Sequence, residues 1–361
     1  MTKRILIISH VQFGAVIAPY QYSRILKDRF AITYLCWDFG AARVDEPGVD
    51  VRYVSRQGGK IGRLVRLLRE SIREIRRGEY DVVFVVYFQG CFVLPLFAGR
   101  EAMVLDIRTG YVRSAGIKRR FNNFLIYLES LFFKHVTILS ESLREDLGIT
   151  ARKCCLVPLG ATHTQSSPKT FDEMRLLYVG TLQHRDMEKT VEGFSRFYDE
   201  KHECLKMSYV IVGGGGRSGE AEQLREAIRR SSCSREIQYV GWVDHKDLGK
   251  YFDEANIGVA FIPMEDHFQY QPATKVFEYL LAGMPVIATR TFENARTIDD
   301  SNGVLISDTP EDFCRGLHVL LEARHRFDSE LISRSSAKYT WAYIIDNQLY
   351  PFLMGLVEKR R

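Results

Sequence analysis

QPATKVFEYLLAGMPVIAT, residues 271–289, sets the pattern for the whole chain: a loop, a short helix, a tight stop and a parallel strand. Pro272 fixes its own φ and has no amide hydrogen to leave unpaired, which suits the first turn of a helix. Lys275 to Ala282 are good helix formers, with Val276, Leu280 and Gly283 expected on one side. Gly283 stands where a left-handed cap belongs, and Pro285 blocks continuation. Val286, Ile287 and Ala288 then read as a buried strand. The start of such a helix offers free N–H groups and a partial positive charge, a ready place for phosphate. Thr274 and Lys275 stand at that start, and Glu278 follows one turn later, where a carboxylate can accept from sugar hydroxyls.

Outward from this unit, apolar runs and helical patterns alternate along the chain. Strands are expected at 4–9, 31–37, 49–54, 81–87, 102–107, 135–140 and 154–160, with helices at 19–30, 60–77, 121–134 and 141–147 between them. The second half repeats the pattern, with strands at 174–180, 207–213, 236–242, 256–262, 285–289 and 303–306. Such alternation argues for α/β architecture, two Rossmann-like doubly wound domains facing across a cleft. The expected divisions are 1–165, 170–340 and a terminal helical segment 341–361, with the polar stretch 164–170 as linker.

Composition limits the function. A length of 361 residues fits two domains, and 46% apolar with 26% charged residues describes a soluble globular protein. Seven cysteines without a C-x-x-C suggest neither a disulfide framework nor a zinc site, and fit a reducing cytosol. The opening MTKRILIISH is too short for a signal-peptide core and reads as a strand. The apolar run 82–99 is broken by Gln89, Gly90 and Pro95, so no spanning helix is expected. Residues 1–165 hold 25 Lys and Arg against 15 Asp and Glu, a balance of +10, and the remainder 25 against 30, or −5. A basic first half suits an anionic partner. Nucleic acid is not supported, because no nucleic-acid-binding signature appears.

Pro272, Lys275, Phe277-Glu278-Tyr279 and Ala282-Gly283-x-Pro285 resemble the donor-site motif of the retaining GT-B glycosyltransferases of family 4, also called glycosyl transferases group 1. The resemblance is to the subgroup with Pro-x-Lys-x-Phe-Glu-Tyr. It implies that Glu278 binds the ribose of a nucleotide sugar, while the loop before the helix holds the diphosphate. Many members carry a second glutamate eight positions earlier, where this chain has Tyr270. Val157-Pro158-x-Gly160 is similar to the segment that closes the first domain in that family, and the resemblance implies a terminal segment crossing back onto it. It covers the second half well and the first half in outline.

A second cluster is YVGTLQHRDMEKTVEGF, 178–194. A strand ends at Gly180 and a helix begins near Asp186, leaving Thr181 to Arg185 as a loop at a strand's carboxyl end. The family often has an arginine and then a lysine here, both on the donor diphosphate. This chain has Thr181 in the first place and Arg185 roughly in the second. Arg185 is therefore the candidate catalytic cation beside Lys275, stabilising the departing β-phosphate. The plain alternative is a surface arginine. Thr181 is a candidate hydrogen-bond donor to phosphate.

Gly214, Gly216 and Gly219 form a G-x-G-x-x-G between a strand and a helix, with Asp244 downstream, which taken alone suggests a dinucleotide. A dinucleotide fingerprint opens the first strand of its domain, whereas this one follows the second. In the resembled family a glycine-rich turn here lines the donor cleft, and Gly241-Trp242 would read the base edge. No Asp-x-Asp occurs and no ligand spacing is seen among His and Cys, so no metal and no cofactor are expected. His267, beside Glu265 and Asp266, is either a sugar contact or a solvated loop residue.

In the first half His10, after the first strand, and Asp106 and Arg108, at the end of another, are acceptor-side candidates. A loop-capping histidine and a structural aspartate explain the same residues. Helix 60–77 carries Ile61, Leu64, Val65, Leu68, Ile72 and Ile75 as one stripe, with six arginines around it. That pattern fits a helix packed on its sheet with a solvated cationic side, or one docked on an anionic membrane surface. The basic loop 108–120 adds to the same field or meets the phosphates of a lipid-linked acceptor. The expected activity is retaining, metal-independent transfer of a hexose from a nucleotide diphosphate to a glycan or lipid-linked acceptor in surface polysaccharide synthesis. The expected setting is cytoplasmic, peripheral on the inner face of the plasma membrane. A sugar-nucleotide epimerase, a non-catalytic nucleotide-sugar binder and a polyanion-binding protein are the alternatives.

Overall fold

The computed structural model describes residues 2–98, 103–111, 117–162, 167–215, 219–265, 268–269 and 274–358. Two compact units result, Met1–Leu159 with Trp341–Arg361, and Gly160–Thr340.

Unit 1 is built on β1 (Lys3–Ser9), β2 (Phe30–Asp38), β3 (Val49–Ser55), β4 (Val82–Val86), β5 (Met103–Ile107), β6 (His135–Ile138) and β7 (Cys154–Leu156). All pair in parallel, in the order β3-β2-β1-β4-β5-β6-β7. The intervening helices are α1 (Ile17–Leu26), α2 (Lys60–Arg77), α3 (Val93–Ala98), α4 (Ile117–Ser130) and α5 (Glu141–Asp146). Side chains alternate across the sheet. Ile5 and Ile7 enter one core cluster and Leu6 and Ile8 the other, so both faces are covered. Continuous apolar strands such as VVFVV fit that double burial.

Unit 2 contains β8 (Met174–Val179), β9 (Met207–Val212), β10 (Ile237–Gly241), β11 (Ile257–Ala260), β12 (Val286–Thr289) and β13 (Gly303–Ile306). They are again all parallel, in the order β10-β9-β8-β11-β12-β13. Its helices are α6 (Met187–Lys201), α7 (Glu220–Arg230), α8 (Gly249–Glu254), α9 (Thr274–Leu281), α10 (Phe292–Ala295), α11 (Pro310–Ala323) and α12 (Ser329–Ser335). The chain then re-enters unit 1 through α13 (Trp341–Ile344), a π-helical turn Ile345–Leu349 and α14 (Tyr350–Glu358). Trp341, Ile344, Ile345, Leu349 and Leu353 lie in the same core cluster as Ile5 and Phe84.

Several expected boundaries move. The helix expected at 19–30 stops at Leu26, because Phe30 already pairs with Lys3. The strand expected over 154–160 ends at Leu156. Residues 117–120, expected in a loop, form the first turn of α4. Lys169, within the expected linker, is buried, its ammonium donating to the carbonyls of Phe252 (2.6 Å) and Asp253 (3.0 Å).

The stripe expected on α2 is met in part. Leu64, Leu68, Ile72 and Ile75 pack against the core beside the fully buried Leu67 and Ser71, while Ile61 and Val65 are 80% and 55% exposed. Apolar side chains span more than the half-turn that meets the sheet, so spacing alone merged two faces into one.

Candidate nucleotide-sugar site

Each parallel sheet has a point where strand order reverses and connections leave in opposite directions, opening a crevice at the carboxyl ends. In unit 2 that point lies between β8 and β11, paired as Leu176 with Ile257 and Tyr178 with Val259. A pocket of about 240 Å³ opens there, and its lining includes Gly180, Thr181, Arg185, Phe268, Thr274 and Lys275.

Helix α9 is held against the crevice by Tyr279. Its hydroxyl accepts from the Val179 amide at 2.8 Å, at the end of β8. Its ring lies on Gly258 of β11 so closely that a Cβ there would stand 2.3 Å from the ring. The helix is buried from Val276 to Leu281 and turns off at Gly283, whose φ is +73°. Only its first turn, Thr274 and Lys275, lines the pocket. Glu278, one turn further in, is buried and accepts from the Lys275 ammonium at 2.5 Å.

The opposite wall is the loop after β8. Strand ends are laced by backbone, with Gly180 N–H donating to Val212 (3.0 Å) and Gly213 N–H to Gly241 (2.8 Å). A Cβ at Gly213 would lie 1.8 Å from the Gly180 carbonyl oxygen, so only glycine allows this approach. The Tyr178 hydroxyl donates to the Thr181 carbonyl at 2.6 Å, and the Thr181 hydroxyl accepts from Gln183 N–H at 3.2 Å. Burial pushes the Tyr178 phenol up, keeping it a donor.

Arg185 sits between two residues with left-handed backbone, His184 (φ 53°) and Asp186 (φ 49°). For non-glycine residues such conformations cost free energy and persist where the surroundings enforce them. Here His184 N–H donates to the Glu220 carboxylate at 3.0 Å, and Asp186 pairs with Lys189 at 2.9 Å. The Arg185 guanidinium lies over the Phe268 ring, 4.4 Å from its centroid. Burial lowers its pKa from the usual guanidinium value, yet a guanidinium remains charged at neutral pH. One terminal nitrogen donates to the His184 carbonyl at 3.1 Å, and a guanidinium lining the pocket has further N–H groups that suit phosphate oxygens.

The structure thus brings together Gly180, Thr181, Arg185, Thr274 and Lys275. Gly214 and Trp242 stand on the adjoining β9 and β10 loops, within 3.2 Å of each other if Gly214 carried a Cβ. Trp242 is 71% exposed, and Gly241 adopts φ +86° where β10 shifts register. Of the glycine-rich turn, Gly216 lies outside the described residues, as do Asp266, His267, Tyr270 and Pro272. Sequence reasoning quoted Tyr279 in the motif without giving it a role, and passed over Tyr178 and Phe268. A tyrosine inside an apolar strand or helix does not disclose its hydroxyl's partner, and Phe268 meets Arg185 only through folding.

In unit 1 the corresponding reversal lies between β1 and β4. His10 follows β1, its ring 5.9 Å from Phe88 and 6.2 Å from Trp37. Burial lowers its pKa, which favours the neutral imidazole. Its Nδ1 is buried without a hydrogen-bond partner among the described residues. Asp106 is wholly buried and accepts from the Thr137 hydroxyl at 2.8 Å. Arg108 directs both terminal nitrogens to the Val157 carbonyl, at 2.8 Å each. Both side chains are thereby engaged in joining the ends of β5, β6 and the segment after β7. Folding also gathers Glu200, Cys314 and His318 in unit 2, a grouping the linear spacing did not show. There His318 Nε2 pairs with Glu200 at 2.9 Å and the ring packs edge-on against Phe197.

Comparison with known proteins adds to this geometry. Residues 173–323 match the family model described as Glycosyl transferases group 1. No curated protein matches the sequence. Anabaena HepE in complex with UDP and glucose superposes with a TM-score of 0.73 at 14% identity, over 98% of this chain and 100% of that one. Sucrose-phosphate synthase from Thermosynechococcus elongatus gives 0.70 at 16% identity, over 99% and 98%. The lipopolysaccharide outer core galactosyltransferase WaaB, in its apo form, gives 0.71 at 12% identity, over 98% and 99%. The chain has the GT-B fold, and its second unit is the part that matches the glycosyl transferases group 1 model.

Proposed function

We propose that this protein transfers a sugar from a nucleotide diphosphate donor to a glycan or lipid-linked acceptor, with retention at the anomeric carbon. The observation that carries the reading is the convergence of Arg185, Lys275 and the start of α9 on one pocket at the reversal point of unit 2. That pocket is smaller than the roughly 300–1,000 Å³ of sites that enclose a whole drug-sized ligand. It suits one section of the donor, the diphosphate.

In this reading Arg185 and Lys275 take the phosphate oxygens, aided by the amide hydrogens of the first turn of α9 and by Thr181. Glu278 orients Lys275 through their ion pair and offers its second oxygen to ribose hydroxyls. The bond between the anomeric carbon and the β-phosphate oxygen breaks, and its electron pair leaves with the nucleoside diphosphate. The acceptor hydroxyl forms the new bond on the same face, and its proton passes to the departing phosphate. Two protein cations supply the countercharge, so the reaction is proposed to proceed without a metal. Retention, a role in surface polysaccharide synthesis and action in the cytoplasm belong to the same proposal.

A panel of nucleotide sugars tests it. Donor-dependent stabilisation together with slow hydrolysis or transfer is expected, by mass action on the folded state. Lys275→Ala and Glu278→Ala should each reduce donor affinity or turnover about tenfold or more, as for a lost charged contact. Isomerised donor without hydrolysis would replace the reading with an epimerase, and binding without turnover with an inert binder. Unchanged behaviour of both variants would remove the site assignment.

A further inference from the structure

Helices α2, α3 and α4 cover the same face of the unit 1 sheet, since Leu67, Leu94 and Ile126 enter one core cluster. They form a continuous layer. The Arg76 guanidinium donates to the Phe97 carbonyl at 3.1 Å, joining α2 to α3. The Glu129 carboxylate of α4 accepts from Gly90 N–H at 3.0 Å, and the Phe92 and Phe132 rings meet at 5.2 Å.

What this layer turns outward is unusual for a water-facing surface. Along α4 and its final turn, Ile117, Phe121, Phe124, Leu128 and Leu131 are 87%, 60%, 52%, 37% and 54% exposed. Their spacing of four, three, four and three residues makes one ridge, roughly 20 Å long at the helical rise. Leu96 and Phe97 of α3 are 50% and 55% exposed, and Ile61 and Val65 near the start of α2 are exposed as well. An exposed apolar ridge of this kind marks an interaction site.

Charge identifies the occupant. Helix α2 carries seven basic and two acidic residues. A groove of about 590 Å³ runs over its Leu68 and Ile72 to Val93, walled by Arg69, Arg73, Arg76 and Arg77. Beside the α4 ridge stand Lys118 and Arg120, with Arg119 paired to Asp146 at 2.8 Å, while the single acid of that helix, Glu129, is turned inward. A second copy of the chain seated on this face would bring two such cationic fields together. An aromatic and aliphatic ridge bordered by arginines instead matches the boundary between acyl chains and anionic headgroups.

We propose that the α2–α3–α4 face of unit 1 is a docking surface for an anionic lipid bilayer. The α4 ridge enters the headgroup boundary while the α2 arginines lie on the lipid phosphates. Among the described residues no helix is long and apolar enough to cross a membrane, so the contact is one of lying on the surface. This surface stands apart from the sugar-transfer reading and survives its failure.

Co-sedimentation with vesicles tests the proposal. The full chain should bind vesicles of phosphatidylcholine mixed with phosphatidylglycerol at least about tenfold more tightly than phosphatidylcholine alone, each engaged arginine being worth about fivefold. Raised salt should weaken that binding. Phe121→Ser with Phe124→Ser, and separately Arg69→Gln with Arg77→Gln, should each cut it about tenfold with an unchanged melting temperature. Hydrogen exchange on the unmodified chain gives a readout without any variant, with vesicle-dependent protection expected at 117–131. Equal affinity for both vesicle types, no binding, or protection elsewhere overturns the proposal. So does self-association that Phe121→Ser with Phe124→Ser abolishes in the absence of vesicle binding, which assigns the face to a second copy.

Discussion

A lysine at position 185 would keep the charge and lose the plane. The Arg185 guanidinium lies over Phe268, where a planar cation can stack and an ammonium cannot, and a guanidinium presents several fixed donors to phosphate. Arg185→Lys is therefore expected to weaken binding of a nucleoside diphosphate about tenfold, read by titration calorimetry. His10 supplies a second test. Its folded pKa lies below 6.5 because burial disfavours the imidazolium, so the unfolded chain binds more protons as pH falls below 6.5. The stability present above pH 6.5 is lost as pH falls through the folded pKa, and His10→Gln should flatten that decline in urea unfolding at successive pH values. That Arg185 and Lys275 line one pocket was legible because each stands beside a strand's carboxyl end in a segment the resemblance marked. Phe268 was not, since its role depends on a ring arriving from a distant loop. Nor was the Lys275–Glu278 pair singled out, because i,i+3 spacing is compatible with two separate contacts.

At the level of elements, the placing of α9 rests on one hydroxyl and one missing Cβ. Tyr279→Phe leaves the Val179 amide without its partner in a buried position, which should cost about 1–3 kcal/mol in denaturant unfolding. Gly258→Ala drives a methyl into the same ring and should destabilise unit 2 by a similar or larger amount, roughly 1–3 kcal/mol for overpacking. Both substitutions should also weaken donor-dependent stabilisation, since the first turn of α9 lines the pocket. The sequence disclosed these elements readily, because apolar runs of β-branched residues alternate with helical patterns. It hid which face of a helix meets the sheet wherever both faces are apolar. In α4, Ile126 faces the core while Phe121 and Phe124 face out, and periodicity assigns neither. The left-handed backbone at His184 and Asp186 was equally silent, since the Glu220 carboxylate that takes the His184 amide comes from another helix.

On the scale of the whole molecule, unit 1 depends on residues at both ends of the chain. Trp341, Ile344, Ile345, Leu349, Leu353 and Leu356 are buried in its core, each worth about 1.5–3 kcal/mol on full burial. Their sum is of the order of a domain's entire stability. A chain cut after Thr340 should therefore lose the unfolding transition of unit 1 while unit 2 still melts cooperatively, as followed by calorimetry. Alternation of strands and helices had indicated two doubly wound sheets, and the resemblance had implied the returning segment. Strand order was not written in any local pattern, because it depends on which edge each new strand joins.

That return has a consequence during synthesis. The polypeptide leaves unit 1 at Leu159, completes unit 2 by Thr340, and only then supplies the helices that close the first core. In order of synthesis the later unit is accordingly the first to have all of its residues. The earlier one waits, at roughly 5–20 residues per second, through the translation of some two hundred further codons with part of one side of its sheet uncovered. A nascent chain stalled on a flexible extension placed after Thr340, long enough to bring Thr340 clear of the ribosome, would show a protease-resistant second half attached to a first half still open to cleavage.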